Sequence, residues 1–153
     1  MIGPALRQWD SHHAIHEAAW LEAEELTRNL EDCIAQRELH QAADMARILL
    51  EHWETRTLRH AQSEEEGWYR EVVAENPAME AEVIALCRDH ELMRTLVSQV
   101  TKLLQTEGAM DAILRRFEAL LLLVSLHSRD EETRLLVRRQ GDKSDDRREG
   151  GAQ

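Results

Sequence analysis

The stretch MDAILRRFEALLLLVSLHSRDEETRLL, residues 110–136, decides the fold. In it Ile113, Phe117, Leu120, Val124, His127, Glu131 and Leu135 recur at steps of three or four. That is the period of one face of an α-helix, and no run alternates apolar with polar as a half-buried strand would. Two of those seven positions, His127 and Glu131, are polar where leucine is expected.

Moving outward, the same periodicity recurs three times. Residues 79–105 carry Val83, Leu86, His90, Met93, Val97, Val100 and Leu104 on one face. Residues 42–75 offer Met45, Leu49, His52 or Trp53, Arg56, His60 and Glu64, and residues 8–36 offer His12, His16, Ala19, Ala23, Leu26 and Leu30. Asn76-Pro77 stops the second segment, because proline cannot continue a helix and disfavours the helical conformation in the residue before it. Gly108 separates the third from the fourth, which is expected over 111–139 with Gly141 as its stop. His40 falls in the polar turn between the first two. Only two prolines and six glycines occur, four of the glycines near the ends, and Ala, Leu, Glu, Arg and Gln dominate the interior. The expectation is an all-α protein, an antiparallel up-down-up-down four-helix bundle over residues 1–140 with a disordered polar tail over 141–153.

The formal net charge of −11 repels nucleic-acid phosphates and anionic lipid, so neither is an expected partner. The longest apolar run, around Leu120 to Val124, is far short of the roughly 20 residues that span a bilayer. The first ten residues lack a basic segment followed by an apolar one, so no signal peptide is expected. Cys33 and Cys87 do not make a disulfide framework, and a cytoplasmic location follows as the default.

The polar residues on the core faces carry the chemistry. A buried, unpaired carboxylate costs several kcal/mol, so buried charges are paired or bind metal. Two His-x-x-x-Glu pairs stand out, His60–Glu64 and His127–Glu131. Residues four apart lie one above the other on a helix, about 5–6 Å apart at Cβ, so imidazole and carboxylate reach one site. His13–Glu17 is a third such pair and reads as a solvated surface pair. Register adds to this. His60 and His90 are equidistant from residue 75, His90 and His127 flank Gly108 symmetrically, and His16 and His60 are equidistant from residue 38. One histidine per helix thus falls in one layer of an antiparallel bundle. Four imidazoles and two carboxylates suit a borderline transition metal. Zinc usually closes a single four-ligand site, whereas six ligands on four helices point to a dinuclear centre with open positions. Iron is the first choice and manganese the second.

These motifs resemble the haemerythrin-like (HHE cation-binding) family. Its pattern is a lone His on helix 1, HxxxE on helix 2, a lone His on helix 3 and HxxxE on helix 4. The matching residues are Asp10-Ser11-His12-His13-Ala14-Ile15-His16-Glu17, then His60-Ala61-Gln62-Ser63-Glu64, Arg88-Asp89-His90-Glu91 and His127-Ser128-Arg129-Asp130-Glu131. The resemblance covers about residues 9–139. It implies two iron ions, oxo- and carboxylate-bridged by Glu64 and Glu131. His16 and His60 would be terminal on one iron, and His90 and His127 on the other. Helix 1 offers His12, His13 and His16; depth and face favour His16, and spacing to Ile15 favours His12.

The chain departs from the oxygen-carrying members of that family. They place a fifth histidine one turn from the helix-3 ligand, where this chain has Leu86 and Arg94. They also end on His-x-x-x-x-Asp, where this chain has Glu131 at the shorter spacing and Glu132 at the longer. Cys87 is a candidate extra ligand, or a small buried core thiol; His52, two turns before His60, could be a further ligand but reads first as a partly exposed histidine. The resemblance implies a non-haem di-iron protein that binds or reduces oxygen, nitric oxide or peroxide in redox sensing or detoxification. The alternatives are an iron-holding or regulatory module without turnover, and a metal-free helical interaction protein whose histidines only pack. A ferritin-like oxidase fits less well, since it uses Glu-x-x-His pairs with lone glutamates.

Overall fold

A computed structural model describes residues 9–136, so the expected tail over 141–153 lies outside the described residues. Those residues form four long helices and no strand. Helix α1 is Trp9–Ala35, α2 spans 39–75, α3 is Glu80–Leu103, and α4 is Met110–Glu131, continued by a π turn over Glu132–Leu136.

The breaks have identifiable causes. After α1 the chain takes up a left-handed conformation at Arg37 (φ 60°). The N–H of Arg37 donates to the Ile34 carbonyl and that of Glu38 to the Cys33 carbonyl. This is the paired closure of a Schellman ending, with arginine where glycine is usual. It brings α2 in at Leu39, three residues earlier than expected, and takes His40 into the helix rather than a loop. Asn76 is extended, and its side-chain oxygen accepts the Ala78 N–H at 3.1 Å, starting a 3₁₀ turn at Pro77–Met79 that leads into α3. Gly108 (φ 72°) makes the last break.

Helix α2 differs most from expectation. It is interrupted by two π turns, Trp53–Leu58 and Glu64–Trp68. Four residues advance an α-helix about 40° past a full turn, and a wider i→i+5 turn takes back that drift. The buried positions therefore run Leu49, His52, Trp53, Ala61, Glu64, Trp68, Tyr69 and Val72, and Arg56, expected on this face, is exposed.

Contacts between helices descend on one as they ascend on the other. His13 meets Glu132 and Trp20 donates its indole N–H to the Leu121 carbonyl, while Arg134 meets Glu82 and Arg116 meets Gln99. The apolar core is in two parts. One gathers Leu30, Leu49, Trp53, Val100, Ile113, Phe117 and Leu120. The other gathers Trp68, Tyr69, Val72, Met79, Leu86 and Leu135. Between them lies a polar layer crossing all four helices.

Candidate metal centre

That layer holds His12, Glu64, His90, His127 and Glu131, all buried, with His16 and His60 slightly more open. The glutamates are 1% and 0% exposed, too deep for water to compensate their charge, so the layer's own groups must do so.

The side chains meet in two groups. On the α1/α2 side, Nε2 of His16 and Nε2 of His60 are 3.0 Å apart. On the α3/α4 side, Nε2 of His90 and Nε2 of His127 are also 3.0 Å apart. Glu64 is common to both. Its Oε1 lies 2.7 Å from His60, 3.3 Å from His12 and 3.5 Å from His16, while its Oε2 lies 3.4 Å from His90. Within His12, His16, His60 and Glu64, and again within Glu64, His90 and His127, one donor atom per residue lies within 4.8 Å of every other, so each group could hold a metal ion. Glu131 joins from α4: its Oε2 accepts from His12 Nε2 at 2.6 Å and is 3.5 Å from His16, and its Oε1 accepts the Tyr69 hydroxyl.

The residues outside the two groups fix the imidazole tautomers. His90 Nδ1–H donates to Glu65 at 2.8 Å, and Arg94 donates twice to the same carboxylate, at 3.1 and 2.9 Å. His127 Nδ1–H donates to Asp89 at 3.3 Å. With Nδ1 so occupied, both Nε2 atoms present lone pairs to one another, an arrangement that needs a shared proton or a cation. Glu64 Oε1 tells the same way. Its distance to His60 is that of a hydrogen bond, yet the angle is not, and the oxygen has no hydrogen-bond partner among the described residues. Donor atoms that crowd together without aiming at one another fit a common metal better than they fit one another.

Electrostatics follow from the burial. Burial raises the Glu64 pKa, but the nearby imidazoles of His16, His60 and His90 outweigh it and hold the carboxyl well below its ordinary value. Burial lowers His60, and Glu64 with Glu131 more than offsets it, leaving the imidazole raised. His90 is raised in the same way by Glu64 and Glu65. His127 stays lowered: burial leads, His90 adds to it, and the carboxylates offset it only in part. Burial, with the charges of Glu131 and Glu64, pushes the Tyr69 hydroxyl well above its ordinary value, so it remains a donor.

A cavity of about 40 Å³ adjoins the layer and is lined by His16, His60, Glu64, His90 and His127 together with Met93 and Val124. A single water needs roughly 10–15 Å³ of such space, so the cavity suits a molecule of two or three heavy atoms.

The structure brings together His16, His60, Glu64, His90, His127 and Glu131, the six expected from sequence. His12, an alternative for helix 1, is inside the layer alongside His16. His13 faces outward, about half exposed, donating to Glu132 and 4.0 Å from Glu17. Cys87 is in neither group; it is partly buried against the Trp68 cluster, and burial, with the charge of Glu65, pushes its thiol pKa up. His52 is corrected: it is buried, not partly exposed, and donates to the Ala19 carbonyl at 3.1 Å. The sequence reading missed Tyr69, Glu65 and Asp89. Tyr69 is one turn past Glu64 in α2, but the π turn between them hides the shared face.

No protein-family model, curated protein or solved structure matches this chain. Fold and site together define an all-helical protein with His/Glu groups that could hold a metal ion. No helix among the described residues is long and apolar enough to cross a membrane.

Proposed function

We propose that this chain is a haemerythrin-like up-down-up-down bundle carrying a non-haem di-iron centre, and that it binds or reduces oxygen, nitric oxide or peroxide. The descending helix contacts support the bundle topology. The observation that carries the dinuclear reading is Glu64, whose two oxygens divide between two donor groups. A lone zinc site needs one closed set of four ligands; two groups sharing a carboxylate suit a pair of ions. His16 and His60 serve one position and His90 and His127 the other, with Glu64 between them and Glu131 as the second carboxylate.

Two ferrous ions so held supply two electrons and open coordination positions to a small ligand. The protein's part is positional. Glu65 and Asp89 keep the Nε2 lone pairs of His90 and His127 aimed inward. Met93 and Val124 keep the adjoining cavity apolar, and its size restricts the ligand to a few heavy atoms. Sensing or detoxification of such molecules in a cytoplasmic setting is the role this chemistry serves.

The test is metal content and the visible spectrum of the air-exposed protein, in wild type and His60→Ala. Two irons per chain with charge-transfer bands, both lost in the variant, is the expected outcome. A colourless, metal-free protein, equally stable with and without ferrous iron, would overturn the reading.

A further inference from the structure

We propose that the two metal positions are unequal, that His12 closes the one between α1 and α2, and that the one between α3 and α4 is left open for the external ligand. This rests on the dinuclear reading above. His12 is fully buried and one helical turn from His16, their ring centroids 4.2 Å apart. Its Nε2 lies 2.6 Å from Glu131 Oε2 and 3.3 Å from Glu64 Oε1, and its Nδ1 is buried without a hydrogen-bond partner among the described residues. Its Nε2, which donates to Glu131 Oε2, also faces the point shared by His16, His60 and the two carboxylates, where loss of that proton would free its lone pair for a metal. The α1/α2 position thereby has three nitrogens and two oxygens within reach.

The α3/α4 position has two nitrogens and one oxygen, from His90, His127 and Glu64 Oε2. Glu131 would add a donor if its second oxygen turned that way. Tyr69 prevents this, because its hydroxyl donates to Glu131 Oε1. Tyr69 is itself held: it is buried, and its ring lies parallel to His90 (5°) at 5.7 Å. The cavity is lined by His16 and His60 as well as by His90 and His127, so it reaches both positions, and the difference between them lies in donor number. The structure thus assigns a crowded, tight position to α1/α2 and a sparse, exchangeable one to α3/α4.

The experiment is an anaerobic titration of the metal-free full chain with cobalt(II), whose visible bands report donor number, followed alongside helical circular dichroism. Wild type is expected to take two equivalents in sequence, the first roughly tenfold or more tighter. His12→Ala is expected to weaken the first equivalent to about the level of the second. His12→Gln, whose amide N–H still donates to Glu131, gives the same result should the alanine variant fold poorly. His127→Ala is expected to keep the first equivalent and lose the second. Two indistinguishable equivalents in wild type, or a first equivalent untouched by either His12 variant, overturns the inequality and leaves the dinuclear reading standing. Uptake of no cobalt, or of one equivalent only, sinks the dinuclear reading itself.

Discussion

At the scale of single residues, the layer depends on groups that never face its centre. Glu65 is the clearest. It takes two hydrogen bonds from Arg94 and one from His90 Nδ1, so a half-exposed guanidinium fixes a buried imidazole through one carboxylate. Arg94 holds the Glu65 pKa below its ordinary value against the opposing effect of burial. Outer partners of ligating histidines are typically worth 10–100-fold in metal affinity. Glu65→Gln is expected to weaken metal binding by about tenfold or more, and Arg94→Ala by less, since His90 keeps its acceptor. Competition against a chelator of known affinity measures both; unchanged affinity in Glu65→Gln would show that His90 needs no such support. From sequence, the positions flanking His90 read only as places where a ligand was missing. His12 and His16 were both legible on the inward face of α1, but the register counts one histidine per helix and so left the choice between them open, where the structure places both in the layer.

At the scale of elements, the turns and the π segments share the work of alignment. The faces of α3 and α4 were legible residue for residue, because both keep a regular period from Val83 to Val100 and from Ile113 to Glu131. The face of α2 was not, since a π turn has no compositional signature and displaces every later position. Turns were legible at Pro77 and Gly108, where proline or glycine marks them; the turn after α1 was also placed, but with α2 starting three residues too late, because an ordinary residue, Arg37, holds the left-handed conformation that tightens it. This gives a paired prediction. Gly108→Ala meets no atom within 4 Å, so its cost is conformational, about 1 kcal/mol of lost stability. Arg37→Gly relieves the same strain and is expected to stabilise by up to about 1 kcal/mol. Urea unfolding midpoints of the two variants should move in opposite directions with metal content unchanged; movement in the same direction would contradict the strain argument.

At the scale of the whole molecule, the layer divides the apolar core, and this makes stability depend on what the layer holds. Ordinarily one contiguous core spans a domain of this size. Here seven polar side chains from four helices separate two apolar clusters, and two of them are glutamates without exposure to water. Without metal, their charge is compensated only by the surrounding histidines and Tyr69, at a desolvation cost of several kcal/mol for each buried ion. With metal bound to the folded state alone, stability rises with metal concentration. At a hundredfold excess over the dissociation constant the gain is about 2.7 kcal/mol for one site. For a chain of this length each kcal/mol moves the midpoint by roughly 3 °C, so the loaded protein is expected to melt about 8 °C above the chelated one. The two apolar clusters meet only through the layer, so the chelated protein should also unfold over a broader range. Scanning calorimetry with ferrous iron under anaerobic conditions and with excess chelator measures both quantities. Coincident melting curves would mean that the histidines and glutamates compensate one another fully, as in a bundle whose polar layer serves packing alone.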